Sequence, residues 1–177
     1  MKAFHTAILG AAVPLLLIAV SIAASPWFSF TNNALSDLGH ATRSRVAPIF
    51  NLGLATGGLL IVVTACMLAG SLAYRLLLGA TGYFLMLVGV FDEIYGRLHF
   101  YVSVAFFTAL LLFLLIYGLL EHKFLPIASA IIAAAAWYLH FAYNAPRGAA
   151  IPELISVAAV LPPYLWVTRS HGKRKQQ

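Results

Sequence analysis

Six apolar runs, each near the length that crosses a bilayer, leave this chain few folds to choose from. The hydrocarbon core takes roughly 20 apolar residues of helix. Runs of that kind extend from about Thr6 to Ala24, Val46 to Gly70, Leu76 to Phe91, His99 to Leu120, Phe124 to Tyr143 and Ile151 to Val167. Short polar joints separate them, with no hydrophilic linker, internal repeat or low-complexity tract. Of the 177 residues 62% are hydrophobic and only 9% charged, against about 25% charged in a soluble domain. So few charges cannot cover a water-facing surface. The reading is all-α: a bundle of six transmembrane helices over residues 1–168, followed by a basic tail at 169–177. The third run is short for a full span and is expected to extend into Asp92 or to sit where the bilayer thins.

Lys2 and the small residues Ala23, Ala24 and Ser25 imitate a cleaved signal. Pro26 would follow the cut, however, and more spans come later, so the first run is read as an uncleaved helix. An even number of spans puts both termini on one side. That side carries Lys2, Arg75, Lys123, Arg169, Lys173, Arg174 and Lys175; the other carries Arg43, Arg45, Arg97 and Arg147. Basic loops favour the cytoplasm, so both termini are expected there, in the cell membrane. The tail RSHGKRKQQ then serves as an anchor that touches anionic headgroups. The net charge of +6 therefore reports topology. It does not point to nucleic acid, because no aromatic interleaving or folded module accompanies the basic residues. The expected partners are membrane lipids, and no soluble protein partner is implied. A single cysteine, Cys66, cannot form an internal disulfide, and the redox compartment is not legible.

The polar residues are unevenly placed. Four of the five acids, Asp37, Asp92, Glu93 and Glu153, fall at the outer ends of spans or in outer loops, with His40, His99 and His140. Only Glu121 is an inner acid, and His5, His122 and His171 are the inner histidines. An asymmetric polar mouth, assembled from distant segments, follows. Trp27, Phe28, Phe30 and Trp166 suit interfacial belts. Asn51, inside the second span, reads as an amide that bonds another helix, and Gly53 and Gly57 as a close-packing pair. Pro162 and Pro163 read as a kink in the sixth span.

Several constellations carry two readings. On an α-helix Ser36 and His40 are one turn apart, with Asp37 beside them. A serine facing a histidine near a carboxylate is a nucleophile with its base. The same stretch, NNALSDLGH, equally makes a short helix from about Ala34 that Asn32 or Asn33 caps, with Asp37 in its first turn. His40, His99 and His140 lie at one depth on three segments. With Asp92 or Glu93 they could ligate zinc through three protein ligands and a water, or two of them could take the axial positions of a haem. No HxxxH or HExxH spacing marks a ligand set, and each histidine could instead bond a surface neighbour. In DEIYGRLH, Asp92 or Glu93 can pair with Arg97, and Arg147 with Glu153 can join them. Paired charges at a membrane boundary mark either a functional pocket or a salt-bridged lid.

The segments NNALSDLG, Ile49-Phe50-Asn51, VGVFDE followed by His99, and GAAIPELIS resemble the domain-of-unknown-function 998 family of six-span prokaryotic membrane proteins, in its archaeal form. The resemblance covers nearly the whole chain. It implies a six-helix bundle and singles out Asn33, Ser36, Asp37, Gly39, Asn51, His99 and Glu153; it implies no activity. Ser36-x-x-x-His40 is also distantly similar to the membrane hydrolases that include alkaline ceramidases, which use Ser-x-x-x-His, an Asp and a His-x-x-x-His around zinc. This chain has no His-x-x-x-His and six spans where those have seven.

The leading functional reading is an outward-facing polar pocket at the lipid interface that binds, or hydrolyses with metal assistance, a lipid-like substrate. For a hydrolase, His99 and His40 are the expected ligands or base, Asp92 and Asp37 the orienting acids, and Ser36 part of the pocket. Asn33, Asn51, Glu93, Arg97, His140, Arg147 and Glu153 are the further ligand-binding candidates. The alternatives are a transporter, accessory or structural subunit, and a haem protein for electron transfer.

Overall fold

In hydrocarbon no water is present to satisfy exposed backbone groups, so a spanning segment must close its hydrogen bonds internally. The computed structural model, which describes residues 3–172, does this with six helices: α1 (Ala3–Ala23), α2 (Ala47–Met67), α3 (Leu72–Val90), α4 (Arg97–Leu120), α5 (Phe124–Tyr143) and α6 (Ala150–His171). All six are long and apolar enough to cross a membrane. Among the described residues there is no strand, only an isolated bridge between Leu68 and Gly172. The chain is a multi-pass membrane protein with an all-α bundle.

Each helix packs on the next, and α6 returns to α1 to close a ring. The α1–α2–α3 side is the tight one, because small residues let backbones meet. Gly53 and Gly57 of α2 face α1: a Cβ on Gly53 would lie 2.8 Å from Leu17 Cβ, and one on Gly57 would lie 2.6 Å from the Pro14 ring. The Gly53–Gly57 pair thus packs within one chain. On its other face α2 meets α3 backbone to backbone, since a Cβ on Gly82 would come within 2.6 Å of the Gly58 carbonyl. The sparsest contact between consecutive helices is that of α4 with α5.

Three boundaries differ from expectation. α3 is a 19-residue helix rather than a short one. Ser71 caps it by accepting from the Ala73 N–H at 3.3 Å, so the helix starts four residues earlier and includes Arg75 in its first turn. α4 begins at Arg97, where Gly96 at φ 53° turns the chain. α6 runs uninterrupted through Pro162 and Pro163 and on to His171, past the expected start of the tail. Its last turn is held: the Ala69 N–H donates to the His171 carbonyl at 2.7 Å. His171 Nε2 lies 3.3 Å from Glu121 Oε2, and the Tyr74 and Tyr117 rings pack on its imidazole. The orientation signals Lys2, Lys173, Arg174 and Lys175 lie outside the described residues.

The α2–α3 crossing gives a direct test. Gly58→Ala should lower the thermal unfolding temperature in detergent, because overpacking of this kind costs about 1–3 kcal/mol. Gly79→Ala on the same helix pair should leave it unchanged or raise it, since the nearest atom to its added Cβ is Ala65 Cβ at 3.8 Å. Equal losses at both positions would remove the backbone crossing as the cause.

Candidate functional site

The NNALSDLGH stretch folds as a 3₁₀ turn, Leu35–Gly39, set into one end of the bundle. Leu35, Leu38 and Gly39 are buried there, so the polar backbone between them needs partners from elsewhere in the chain. The Leu35 N–H donates to Glu153 Oε2 of α6 at 2.6 Å. Ser36 Oγ donates to Glu93 Oε1, from the joint between α3 and α4, at 2.8 Å. Asp37 Oδ2 accepts from the Ala34 N–H at 3.1 Å and from Asn33 Nδ2 at 2.7 Å. The Gly39 carbonyl accepts from Asn51 Nδ2 of α2 at 2.9 Å. From the α5–α6 joint, the Gly148 N–H donates to the Thr31 carbonyl and the Ala150 N–H to the Asn33 carbonyl, at 2.9 and 3.0 Å. The fit is close enough that a Cβ on Gly148 would collide with the Asn33 backbone.

These partners correct several expectations. In a 3₁₀ turn residues three apart eclipse each other, so Ser36 and His40 do not stack as they would on an α-helix. No Ser36–Asp37–His40 triad forms: Ser36 is on Glu93, Asp37 on Asn33 and Ala34, and His40 Nδ1 on Thr42 Oγ1 at 3.4 Å. Ala34, not an asparagine, occupies the cap position; Asn33 instead accepts from the Ser29 N–H at 3.0 Å and steers Asp37. Asn51 bonds the turn, not another helix. Asp92 Oδ1 accepts from the Ile94 N–H at 2.8 Å and caps a second 3₁₀ turn, Glu93–Tyr95. Arg97 and Arg147 are exposed, and neither forms an ion pair. Among the described residues the one ion pair is His171–Glu121, at the opposite end.

His40, His99 and His140 line one open groove between α4 and α5, of about 1040 Å³. They do not converge: among the described residues no three His, Cys, Asp or Glu side chains could hold a metal ion together. Each reaches its own partner, because each sits on a different rigid segment. His99 Nδ1–H donates to the Phe91 carbonyl at 2.7 Å, and His140 Nδ1–H to the Pro146 carbonyl at 3.0 Å. Zinc therefore loses its ligand set, and the geometry offers haem no support.

The groove is polar at one end and apolar along its length. Its mouth carries Ser36, His40, Thr42, Arg43, Glu93 and Glu153; its walls descend through Ser103, Val104, Phe107, Leu111, Ala134 and Trp137. A polar recess of about 390 Å³, bounded by Trp27, Asn33, Asp37, His40, Arg43 and Glu93, adjoins the mouth. Trp137 is fixed by donating from Nε1 to Ser156 Oγ at 3.1 Å and by the Phe107 ring, 4.8 Å away between centroids. Burial pushes the Glu93 carboxyl up from the usual 4.5 to about 7; the Ser36 hydrogen bond opposes the rise, neighbouring Asp37 adds to it, and Arg43 opposes it.

A family model described as "Protein of unknown function (DUF998)" matches residues 8–170. The chain belongs to that family. No curated protein and no solved structure matches it. The DUF998 match begins within α1 and ends within α6, so it takes in all six helices and every residue of the groove. Two groove residues of this DUF998 protein escaped the sequence reading. Arg43 lines the mouth together with Glu93, and Ser103 lies within reach of His99 Nε2 at 3.4 Å. The spacing of His99 and Ser103, four residues apart in one span, was the available signal for the second.

The Glu93 carboxyl generates a pH dependence with a definite sign. Its folded-state value lies above the unfolded one, so its contribution is fully present below pH 4.5 and is lost as pH rises towards 7. Thermal unfolding of the wild type should therefore shift to lower temperature across that window. Glu93→Gln, which keeps an acceptor for Ser36, should flatten the slope; an unchanged slope would assign it to another group.

Proposed function

We infer that this membrane protein binds a lipid-like amphiphile in the groove between α4 and α5. One observation carries the reading: a single continuous groove joins a mouth containing Arg43, Glu93, His40 and Glu153 to a trough walled by Val104, Phe107, Leu111 and Ala134. Ligand sites run to about 300–1,000 Å³ and combine apolar walls with a few placed polar groups, and the groove is of that size and kind. Its headgroup chemistry is mixed, with both an arginine and carboxyl groups at the mouth. The trough lies on membrane-spanning helices, and Phe100, Val104 and Phe141 along it are exposed on the bundle surface. A hydrocarbon chain there replaces one apolar contact with another while its head reaches the polar groups.

The basic residues on the two sides favour an orientation with both termini in the cytoplasm, which places the mouth on the outer face of the cell membrane. A transport pathway finds less support, since the charged groups gather at the ends and few polar residues, such as Thr56, Thr81 and Thr108, line the spans at midplane.

The test uses the detergent-purified protein after delipidation, with a monoacyl phospholipid as the probe. Wild type should bind it saturably. Ala134→Trp, which fills the trough, should weaken binding by at least about tenfold, equivalent to ~1.4 kcal/mol. Ile132→Trp, on the exposed face of the same helix outside the groove, should bind as wild type does. Equal binding by both variants would remove the groove as the site.

A further inference from the structure

Ser103 departs from the commonest habit of the span hydroxyls, as Thr6 does in donating to Met67 Sδ at 3.7 Å. Ser21, Thr64, Thr81, Ser156 and Thr168 each donate back to a carbonyl three or four residues earlier in their own helix, the usual habit of such residues. The Ser103 hydroxyl instead faces His99 Nε2, 3.4 Å away. That nitrogen is free to accept, because Nδ1 holds the proton that the Phe91 carbonyl receives at 2.7 Å. The carbonyl is available because Phe91 is the cap residue at the end of α3, where helix carbonyls lack intrahelical partners. The C-terminal end of a helix dipole also favours a cation, and here it is turned towards the imidazole.

A serine, a histidine acceptor and a group that fixes the histidine's tautomer make up the arrangement that activates a hydroxyl nucleophile. Serine–histidine separations are often loose before substrate is bound. Position adds an independent argument. Ser103 lies six residues into α4, so roughly 9 Å below its start at 1.5 Å per residue. Above it are Arg43 and Glu93; below it are Val104, Phe107 and Leu111. It therefore sits at the junction of mouth and trough, where the linkage between head and chain of a bound amphiphile would fall.

We propose that Ser103 and His99 form a nucleophile–base pair that cleaves a carboxylic ester joining the head and chain of an amphiphile held in the groove. This rests on the binding reading above. Ser103 Oγ adds to the ester carbonyl carbon while its proton passes to His99 Nε2. The bond to the alcohol oxygen breaks, that oxygen takes the proton from His99, and the acyl group remains on Ser103. Water then adds to the acyl carbon, giving a proton to His99. Ser103 departs and recovers that proton, releasing a free carboxylic acid. The Phe91 carbonyl positions the imidazole and steadies its charged form during both steps.

A long-chain alkyl fluorophosphonate tests the pair without knowledge of the natural ester. Wild type in detergent should acquire one phosphonyl adduct, mapped by peptide mass spectrometry to Ser103. Ser103→Ala should acquire none while purifying as the same monodisperse species as wild type. His99→Gln should label more slowly by ~100-fold or more, the scale of general-base assistance; should it fail to purify as a monodisperse protein, Ser103→Ala and the adduct map decide. Absence of an adduct in wild type that binds the phospholipid would overturn the pair and leave the groove reading standing. An adduct on Ser36, or His99→Gln labelling at the wild-type rate, would also overturn it. Absence of both adduct and phospholipid binding would overturn both readings.

Discussion

The hydrogen bond from the Leu35 N–H to the Glu153 carboxyl, 2.6 Å long, joins the first joint of the chain to its last helix, and the polar end of the bundle is arranged around it. A turn buried among apolar helix ends cannot leave its backbone groups unpaired without a cost of about 1–3 kcal/mol each. Glu153, Asp37 and Asn51 meet that requirement from α6, from the turn itself and from α2. With the turn fixed, Ser36 reaches Glu93 and so draws the α3–α4 joint to the same point. His99 then follows, tied to the last carbonyl of α3. The mouth of the groove is thus a by-product of satisfying one short length of backbone.

The six helices were legible because the bilayer sets their length and composition, and neither depends on which residues touch. α3 gains its length at its start, where a serine cap and an arginine interrupt the hydropathy without interrupting the helix, and not by the expected extension into Asp92, since it ends at Val90 and Asp92 caps the next turn. The residues of the mouth were legible for a related reason: polar groups in an apolar chain have few places to go. Their pairings were not legible. Ser36 and His40 part company because five residues chose the tighter 3₁₀ winding over the α-helix, a choice made by tertiary burial of Leu35 and Leu38. Arg97 and Arg147 sit at the right end of the molecule but point to solvent, so proximity in sequence to Glu93 and Glu153 did not become an ion pair.

The two halves of the ring are built to different standards. Across α1, α2 and α3 the glycines seat against Leu17 and the Pro14 ring on one side and against the α3 backbone on the other, and contacts of this kind leave little room for relative motion. Across α4, α5 and α6 the contacts are made by larger side chains such as Phe107 and Trp137, whose shapes leave a groove between them. The rigid half carries the carbonyl that orients His99, and the open half carries the space in front of it. The opposite end is closed by the Ala69–His171 backbone bond and the Tyr74–Tyr117–His171 aromatic cluster, so the asymmetry runs along the bundle as well as across it.

The seam between α4 and α5 opens sideways. A molecule that fits it need never leave the leaflet: it diffuses in two dimensions, arrives chain-first or side-on, and exchanges with its neighbours in the bilayer. Occupancy is then governed by mole fraction among the surrounding lipids, not by concentration in water. The same protein in a membrane rich in a fitting amphiphile and in a micelle that dilutes it would be filled to very different degrees, with no change in its intrinsic affinity.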